Sequence, residues 1–176
     1  MKGVDVVSKL AFNNDDFETK YNKYSNIIFR TAYQYLLNTD AAEDIVQETF
    51  VKLFTNKKAF NDAEHEKAWL IRVTINLCKN FLVSKTSTEL ELNEGIVKSD
   101  SSFEEKSEQQ IDMERQLNKL TPEQRACIYL YYYEGYKIKE ISDILNLNGN
   151  TVKSILSRAR QTLKSNINKE NHNELQ

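Results

Sequence analysis

A chain of 176 residues with a formal charge of −2, 40% hydrophobic residues and 28% charged residues has room for one medium domain or two small ones. One proline and four glycines are too few for the many turns of an all-β fold, so a helical fold is expected. The sequence contains no run of 18 apolar residues, so we expect no transmembrane helix, and we expect no secretory signal in the first residues.

Charge divides the chain into three segments. Residues 1–85 carry 12 basic and 11 acidic groups, and residues 86–110 carry 2 basic and 7 acidic groups. Residues 111–176 carry 10 basic and 8 acidic groups. The middle segment is rich in Ser, Thr and Glu and has too few apolar residues to offset the entropy of ordering it. We therefore predict an all-α protein, in which two small helical domains are joined by a flexible acidic linker over residues 86–110. A disordered tail is expected over residues 169–176.

The first domain contains three amphipathic helical patterns. Apolar residues from Phe17 to Leu36 recur at spacings of three, four and seven, which predicts the first helix. The second helix is expected to begin at Asp40, with Glu43 completing an acidic capping box. The third is expected to begin near Asp62–Glu64 and to bury apolar residues as far as Phe81.

The second domain has clear start and stop signals. Thr121 is expected to cap a helix, with Pro122 at its first position and Gln124 closing a capping box. That helix is expected to run to about Tyr133 and to end at Gly135. Its tyrosines are expected to belong to the core rather than to stack on bases: Tyr129, Tyr131, Tyr132 and Tyr133.

The last two helical patterns predict a helix-turn-helix. A short helix near Lys137–Leu145 is followed by a turn at Asn146 and by a final helix from Gly149 to about Asn166. Asn tolerates the left-handed backbone that such a turn needs. No Asp or Glu lies between Ile144 and Lys169, whereas five basic residues do. A local basic helix in a near-neutral chain indicates contact with a phosphate backbone.

One face of the final helix carries the candidate DNA-binding side chains. They recur at i, i+1, i+4, i+5 and i+8, opposite the apolar seam: Lys153, Ser154, Ser157, Arg158 and Gln161. Such side chains can reach base edges or phosphates. Asn148, Asn150 and Thr151 at the start of the helix are expected to offer backbone N–H groups to a phosphate. The alternative is an ordinary solvated basic face.

The sequence gives little support for catalysis. Cys78 and Cys127 lie in apolar helical patterns and are expected to be buried rather than to form a disulfide framework. His65 and His172 lie far apart, away from any cluster with metal-ligand spacing. We expect no metal site, no cofactor and no enzymatic activity.

Motifs in both domains resemble those of one family. The second domain is similar to the promoter −35-binding domain of extracytoplasmic-function (ECF) sigma factors, in the sigma-70 superfamily, at Thr121–Arg125, Tyr133–Gly135, Ile138–Ile141, Thr151–Ser154 and Arg158–Arg160. Ala42–Phe50 resembles the polymerase-binding helix of that family, and Lys67–Leu70 with Asn76–Lys79 resembles its −10-binding helix. The resemblance covers about residues 16–165, with the two domains in the order of the family.

The resemblance implies a bacterial, cytoplasmic transcription initiation factor that binds core RNA polymerase and promoter DNA. Residues 1–85 would form the sigma region two domain, and residues 111–168 would form the region four helix-turn-helix, of a winged-helix-like or sigma region four type. It further implies a monomer without direct membrane insertion and a regulatory anti-sigma factor.

The resemblance also assigns roles to residues. Polymerase binding would fall to Asp44, Gln47, Glu48 and Phe50; contact with the −10 element to Lys67, Arg72, Asn76, Lys79 and Asn80; and reading of the −35 element to Asn148, Asn150, Thr151, Lys153, Ser154, Ser157, Arg158 and Gln161. The chain departs from the family at Lys137, where a capping Ser or Thr is usual, and at Ile155, where a basic residue is frequent.

Two other functions are consistent with the residues alone. A stand-alone helix-turn-helix regulator with a helical sensing domain would bind operator DNA without polymerase. A helical adaptor would not touch DNA at all. The acidic face of the second helix also has a purely structural interpretation as a solvent-exposed face, because any amphipathic helix exposes charged residues opposite its apolar stripe.

Overall fold

The computed structural model describes residues 14–91 and 115–173, and side chains within residues 16–85 and 115–165. These residues form helices and contain no strand, which confirms the all-α prediction and leaves no wing beside the helix-turn-helix within them. The helices are α1 (Asn14–Leu36), α2 (Thr39–Thr55), α3 (Ala63–Glu91), α4 (Pro122–Ile128), α5 (Ile138–Leu145) and α6 (Gly149–Asn173). A further helical turn covers residues 115–118.

The first three helices pack against one another through their apolar faces. Tyr24, Ile28 and Tyr35 of α1 are buried, as are Leu70 and Ile71 of α3. The predicted stripes therefore form the core of the first domain. Phe81 was expected in this core, but 36% of it is exposed at the outer part of α3.

Helix α2 begins earlier than predicted. Its N-cap is Asn38, whose side-chain oxygen accepts a hydrogen bond from the Ala41 N–H at 2.7 Å. Asn is among the best N-cap residues, and its extended backbone (φ −140°, ψ 121°) suits that position, so it takes the place predicted for Asp40. The prediction for α3 is confirmed: Asp62 accepts a hydrogen bond from the His65 N–H at 2.7 Å, just before the helix begins at Ala63.

Two predicted boundaries are wrong because the long helices continue past them. Helix α3 extends to Glu91, so residues 86–91 of the expected linker are helical. Helix α6 extends to Asn173, so residues 169–173 of the expected tail are helical as well. Polar composition removes the stabilisation from burial but does not by itself end a helix, and neither stretch contains a glycine or proline. Residues 92–110 of the linker and 174–176 of the tail lie outside the described residues.

Helix α4 begins as predicted and ends differently. Thr121 and Gln124 form the expected reciprocal capping box. The α-helix ends at Ile128, and residues Tyr129–Tyr133 form a π-helical turn, in which the Glu134 N–H donates to the Tyr129 carbonyl at 3.2 Å. Of the four tyrosines expected in the core, only Tyr129 is buried, and 70% of Tyr133 is exposed. Gly135 adopts the predicted positive φ of 72°.

The helix-turn-helix consists of α5, a turn at Asn146 and α6. Asn146 has the predicted left-handed backbone (φ 54°, ψ 48°), and the Leu147 N–H donates to the Ser142 carbonyl at 3.0 Å. Lys137 cannot cap α5 with its side chain, as predicted. The Glu140 carboxylate instead accepts a hydrogen bond from the Lys137 N–H at 2.6 Å, which satisfies part of this helix end.

The two domains pack against each other. Helix α1 contacts α4, and α3 contacts α5, so that the buried apolar residues of both domains form one continuous cluster. Among the described residues, none of the helices is both long enough and apolar enough to cross a membrane. This packing decides which of the predicted functional residues are accessible.

Candidate nucleic-acid interface

The predicted DNA-binding face of α6 is exposed along its whole length. Its residues are all exposed: Asn148, Asn150, Thr151, Lys153, Ser154, Ser157, Arg158 and Gln161. On the opposite side Val152, Leu156 and Ala159 are almost completely buried against the rest of the second domain. The burial of one side fixes the orientation of the helix, and the polar side is therefore presented to solvent as predicted.

Local hydrogen bonds hold part of this face in place. The Ser154 hydroxyl donates to the Asn150 carbonyl at 2.9 Å, and Arg158 Nε donates to the Ser154 carbonyl at 3.3 Å. Asn148 Oδ1 accepts a hydrogen bond from the Asn150 N–H at 2.9 Å. That N–H group was expected to be available to a phosphate, but it already has a partner within the chain.

The candidate −10 face lies on α3 and is only partly open. Arg72, Asn76 and Asn80 recur every four residues and are exposed, whereas Lys67 and Lys79 are half-buried. Arg72 Nη2 donates to the Asp143 carbonyl on α5 at 2.6 Å. Lys67 Nζ lies 3.1 Å from a carboxylate oxygen of Glu134, in the second domain. Two of the five predicted residues are thus engaged by the other domain.

The acidic face of α2 is exposed and differs in sign from the other two faces. Asp44, Gln47 and Glu48 are exposed, and Glu48 lies 3.6 Å from Lys52, one turn further along the helix. A surface ion pair of this kind contributes little to stability. These residues are therefore available to a partner without loss of core contacts.

Phe50 does not lie on the exposed surface of α2 where the prediction placed it. Only 4% of its surface is accessible, and its ring centroid lies 5.1 Å from that of Tyr21 and 6.1 Å from that of Phe17. Phe50 also belongs to the apolar stripe of α2, and burial of that stripe places it between α1 and α2. Within the chain its ring packs against α1.

Arg125 is a further residue of interest that sequence reasoning did not single out. It is 7% exposed, and its guanidinium donates to the carbonyls of Gln34 at 2.7 Å, Tyr35 at 2.8 Å and Leu120 at 2.5 Å. Burial lowers the pKa of the guanidinium, while the nearby Glu123 opposes this shift. The one available signal was a charged residue directly before the apolar run Ala126–Leu130, but the sequence could not show that it reaches the first domain.

A second contact crosses the same boundary. Tyr35 Oη donates to Glu123 Oε1 at 3.0 Å. Burial, with a smaller contribution from the Glu123 charge, raises the pKa of Tyr35 above its ordinary value. The phenol therefore stays protonated and remains a donor across the domain boundary.

A groove of about 770 Å³ opens between the two domains. Its lining combines the exposed rings of Tyr132 and Tyr133 with the cationic side chains of Arg30, Arg160 and Lys164. The groove lies beside the packed contacts and offers both apolar surface and positive charge.

Comparisons with known proteins identify both domains. The family description "Sigma-70 region 2" matches residues 21–88, and "Sigma-70, region 4" matches residues 110–163. The RNA polymerase sigma factor SigV of Bacillus subtilis (strain 168) is 28% identical over 142 residues, covering 81% of this chain and 85% of SigV. The ECF sigma factor SigW of the same organism is 26% identical over 169 residues, covering 88% of this chain and 90% of SigW.

A solved structure shares the fold of both domains. The sigma factor RpoE from Bartonella quintana, crystallised with the anti-sigma factor NepR, superposes with a TM-score of 0.69 at 24% identity. The match covers 85% of this chain and 95% of that one. Because regions two and four are both present, in order, and the relatives match over most of their length, the chain belongs to the ECF group of the sigma-70 family.

Proposed function

We propose that this sigma factor divides its work among three surfaces: α2 binds core RNA polymerase, α3 engages the −10 element, and α6 reads the −35 element. As an alternative sigma factor it directs promoter recognition and is not an enzyme. The observation that carries the division of roles is the placement of two cationic helix faces in separate domains, with α6 exposed and α3 partly open, and of an acidic face on α2.

The charges of the first domain support two different partners. The exposed side of α2 presents Asp44 and Glu48, whereas α3 presents Arg72 and Lys79. Phosphates are repelled by the first set and attracted by the second. A protein partner on α2 and a nucleic-acid partner on α3 match the charges of both surfaces of the same small domain.

The near-neutral charge of the chain supports dependence on polymerase. Stand-alone DNA-binding proteins gain much of their affinity from many phosphate contacts, whereas this chain has a formal charge of −2. Two weak contacts become strong when both are held on one assembly, because the second is then effectively intramolecular. We therefore expect weak binding to DNA by the free chain and specific binding by the polymerase complex.

The experiment is run-off transcription with core polymerase on a promoter library. We expect promoter-specific transcripts and co-elution of the chain with core polymerase. A matched pair of variants tests the acidic face: Glu48→Lys should reduce co-elution, whereas Glu18→Lys, on the exposed side of α1, should not. A free chain that shifts operator DNA as a dimer and gives no transcripts would favour the stand-alone regulator instead.

Regulation by an anti-sigma protein is part of this proposal, as is a cytoplasmic location, where polymerase and chromosome are found. The support is indirect: the structurally similar RpoE was crystallised with an anti-sigma factor. Co-purification of the chain with a protein that abolishes its run-off activity would test this point.

A further inference from the structure

We propose that the groove between the two domains binds a small amphipathic anion of the fatty-carboxylate class. Its hydrocarbon chain lies against the second domain, and its carboxylate lies among three cationic side chains. The groove has a volume of about 770 Å³, which suits a small-molecule site. This site is separate from the surfaces proposed above on α2, α3 and α6 for polymerase and promoter DNA.

The walls of the groove carry positive charge without a matching negative charge. Arg30 lines the groove from α1, and Arg160 and Lys164 line it from α6. All three are exposed, and none of them forms an ion pair within the part of the chain that the structure describes. The described residues that line the groove include no Asp or Glu. A cleft lined by charges of one sign concentrates ions of the opposite sign, so an anion is the expected occupant.

The one carboxylate near this side of the molecule is engaged elsewhere. Glu134 borders a smaller cavity that Arg30 also lines. Its carboxylate lies 3.1 Å from Lys67 Nζ and accepts a hydrogen bond from the Tyr129 hydroxyl at 2.8 Å. These two contacts direct its charge away from the groove, which leaves the cations there available to a ligand.

Two of the three cations lie on the side of α6 that is turned away from the proposed DNA-reading face. Successive residues of an α-helix are about 100° apart, so Arg160 lies about 200°, and Lys164 about 240°, around the axis from Arg158. The basic residues of α6 therefore form two separate sets. Contact of α6 with the −35 element leaves the second set, at the groove, without a role.

The remainder of the groove is mainly apolar. Leu117, Ile128 and Leu163 line it together with the rings of Tyr132 and Tyr133. Tyr132 is 53% exposed and Tyr133 is 70% exposed. A hydrocarbon chain that covers these rings removes apolar surface from water on both sides of the contact, which is favourable.

The shortage of hydrogen-bonding groups selects a hydrocarbon chain over a nucleotide. Arg125 also lines the groove, but its guanidinium donates to the carbonyls of Gln34 and Tyr35. A nucleotide base would lose hydrogen bonds to water that these walls do not replace. A hydrocarbon chain has no such bonds to lose, and its one carboxylate can use the cations.

Titration calorimetry on the free, full-length chain tests the site with three probes. Decanoate carries both parts of the proposed ligand, whereas decanol has only the apolar chain and acetate has only the carboxylate. We expect saturable one-to-one binding of decanoate and no saturable binding of acetate. Decanol should bind about tenfold more weakly than decanoate, because it lacks charge-assisted hydrogen bonds. Absence of decanoate binding, or equal binding of decanoate and decanol, would overturn the proposal.

A matched pair of lysine variants tests the charged part of the site. Lys164 lines the groove, whereas Lys139 is exposed on α5 and is not among the lining residues. We expect Lys164→Gln to weaken decanoate binding about three- to tenfold, since a charged donor binds a carboxylate more strongly than a neutral one. Lys139→Gln should bind like the unmodified chain. Equal affinities of the two variants would contradict the proposal.

A matched pair of tyrosine variants tests the apolar part. Tyr133 lines the groove, whereas Tyr131, in the same π-helical turn and 38% exposed, does not. Both rings are exposed, so neither Tyr133→Ser nor Tyr131→Ser opens the core. We expect about a threefold or greater loss of decanoate affinity in Tyr133→Ser only, because part of the buried apolar area is removed. The same affinity in both variants would reject this placement of the chain.

A last variant distinguishes a small-molecule ligand from an acidic segment of the protein itself. Glu104 and Glu105 are adjacent carboxylates in the part of the chain that lies outside the described residues. Glu104→Gln with Glu105→Gln should bind decanoate with unchanged affinity. Tighter binding by this variant would show that the acidic segment competes for the groove, and would overturn the assignment of the groove to a small amphipathic anion.

Discussion

At the scale of single residues, Arg158 is the side chain of α6 whose role can be resolved most sharply. It is exposed, and its Nε donates to the Ser154 carbonyl at 3.3 Å, which orients the guanidinium along the helix face. We predict that Arg158→Ala weakens use of the −35 element by about 1–3 kcal/mol if the guanidinium contacts a base edge. Competitive run-off transcription from promoters with intact and scrambled −35 elements measures this loss.

Two control variants distinguish the possible causes of the Arg158→Ala result. Arg158→Lys keeps the charge but not the planar pair of donors. It should therefore lose the preference for an intact −35 element if Arg158 contacts a base edge, and keep that preference if Arg158 contacts a phosphate. Lys57→Ala removes one exposed positive charge from the first domain and should leave −35 preference unchanged. An unaltered preference in Arg158→Ala would remove this residue from the reading set.

The two cysteines show how burial lowers the reactivity of a single side chain. Cys78 and Cys127 are fully buried, and burial raises the pKa of each thiol to about 12. The reactive thiolate is then only about one part in ten thousand at pH 8. We predict that an aromatic disulfide reagent labels both thiols slowly in the native chain and rapidly in urea. Fast labelling without denaturant would contradict the buried placement.

At the scale of helices, the start of α2 can be tested by comparing two neighbouring residues. Asn38 accepts the Ala41 N–H, so Asn38→Ala should lower the free energy of unfolding by about 1 kcal/mol. Asp40 lies in the first turn, where a carboxylate contributes only a few tenths of a kcal/mol through the helix dipole. Urea unfolding of both variants measures the difference. A larger loss in Asp40→Ala would restore the cap predicted from sequence.

Helix positions could be predicted from sequence where they depend on neighbouring residues. The capping box at Thr121 and the left-handed turn at Asn146 were found in this way, since both depend on local backbone chemistry. The π-helical turn at Tyr129–Tyr133 was not, because it depends on packing between helices. The exposed polar face of α6 was predictable by the same logic, as a stripe opposite an apolar seam.

At the scale of the whole molecule, the least predictable feature is the contact between the domains. Arg125 belongs to a family motif in sequence, but its partners are carbonyls about 90 residues earlier in the chain. The periodicity or spacing of residues within one helix cannot predict a contact between residues so far apart in the sequence. The consequence is that the accessibility of Lys67 and Arg72 is set by residues of the other domain.

Buried tyrosines give the packed molecule a characteristic response to alkaline pH. Burial is the main cause that raises the pKa of Tyr35, Tyr129 and Tyr136 above the ordinary value. A raised pKa in the folded state means that the unfolded chain loses these protons first. The stabilisation is therefore complete below about pH 10 and is lost as the pH rises, by up to about 1.4 kcal/mol per pH unit for each tyrosine.

Urea unfolding between pH 8 and pH 11 should thus show constant stability from these groups up to about pH 10 and a steep fall above it. Tyr35→Phe should make the fall shallower, because it removes one of the three phenols along with its hydrogen bond to Glu123. Tyr21→Phe is the matched control, since it makes the same chemical change at a residue that is 42% exposed. An equal slope in both variants would place Tyr35 in water rather than between the two domains.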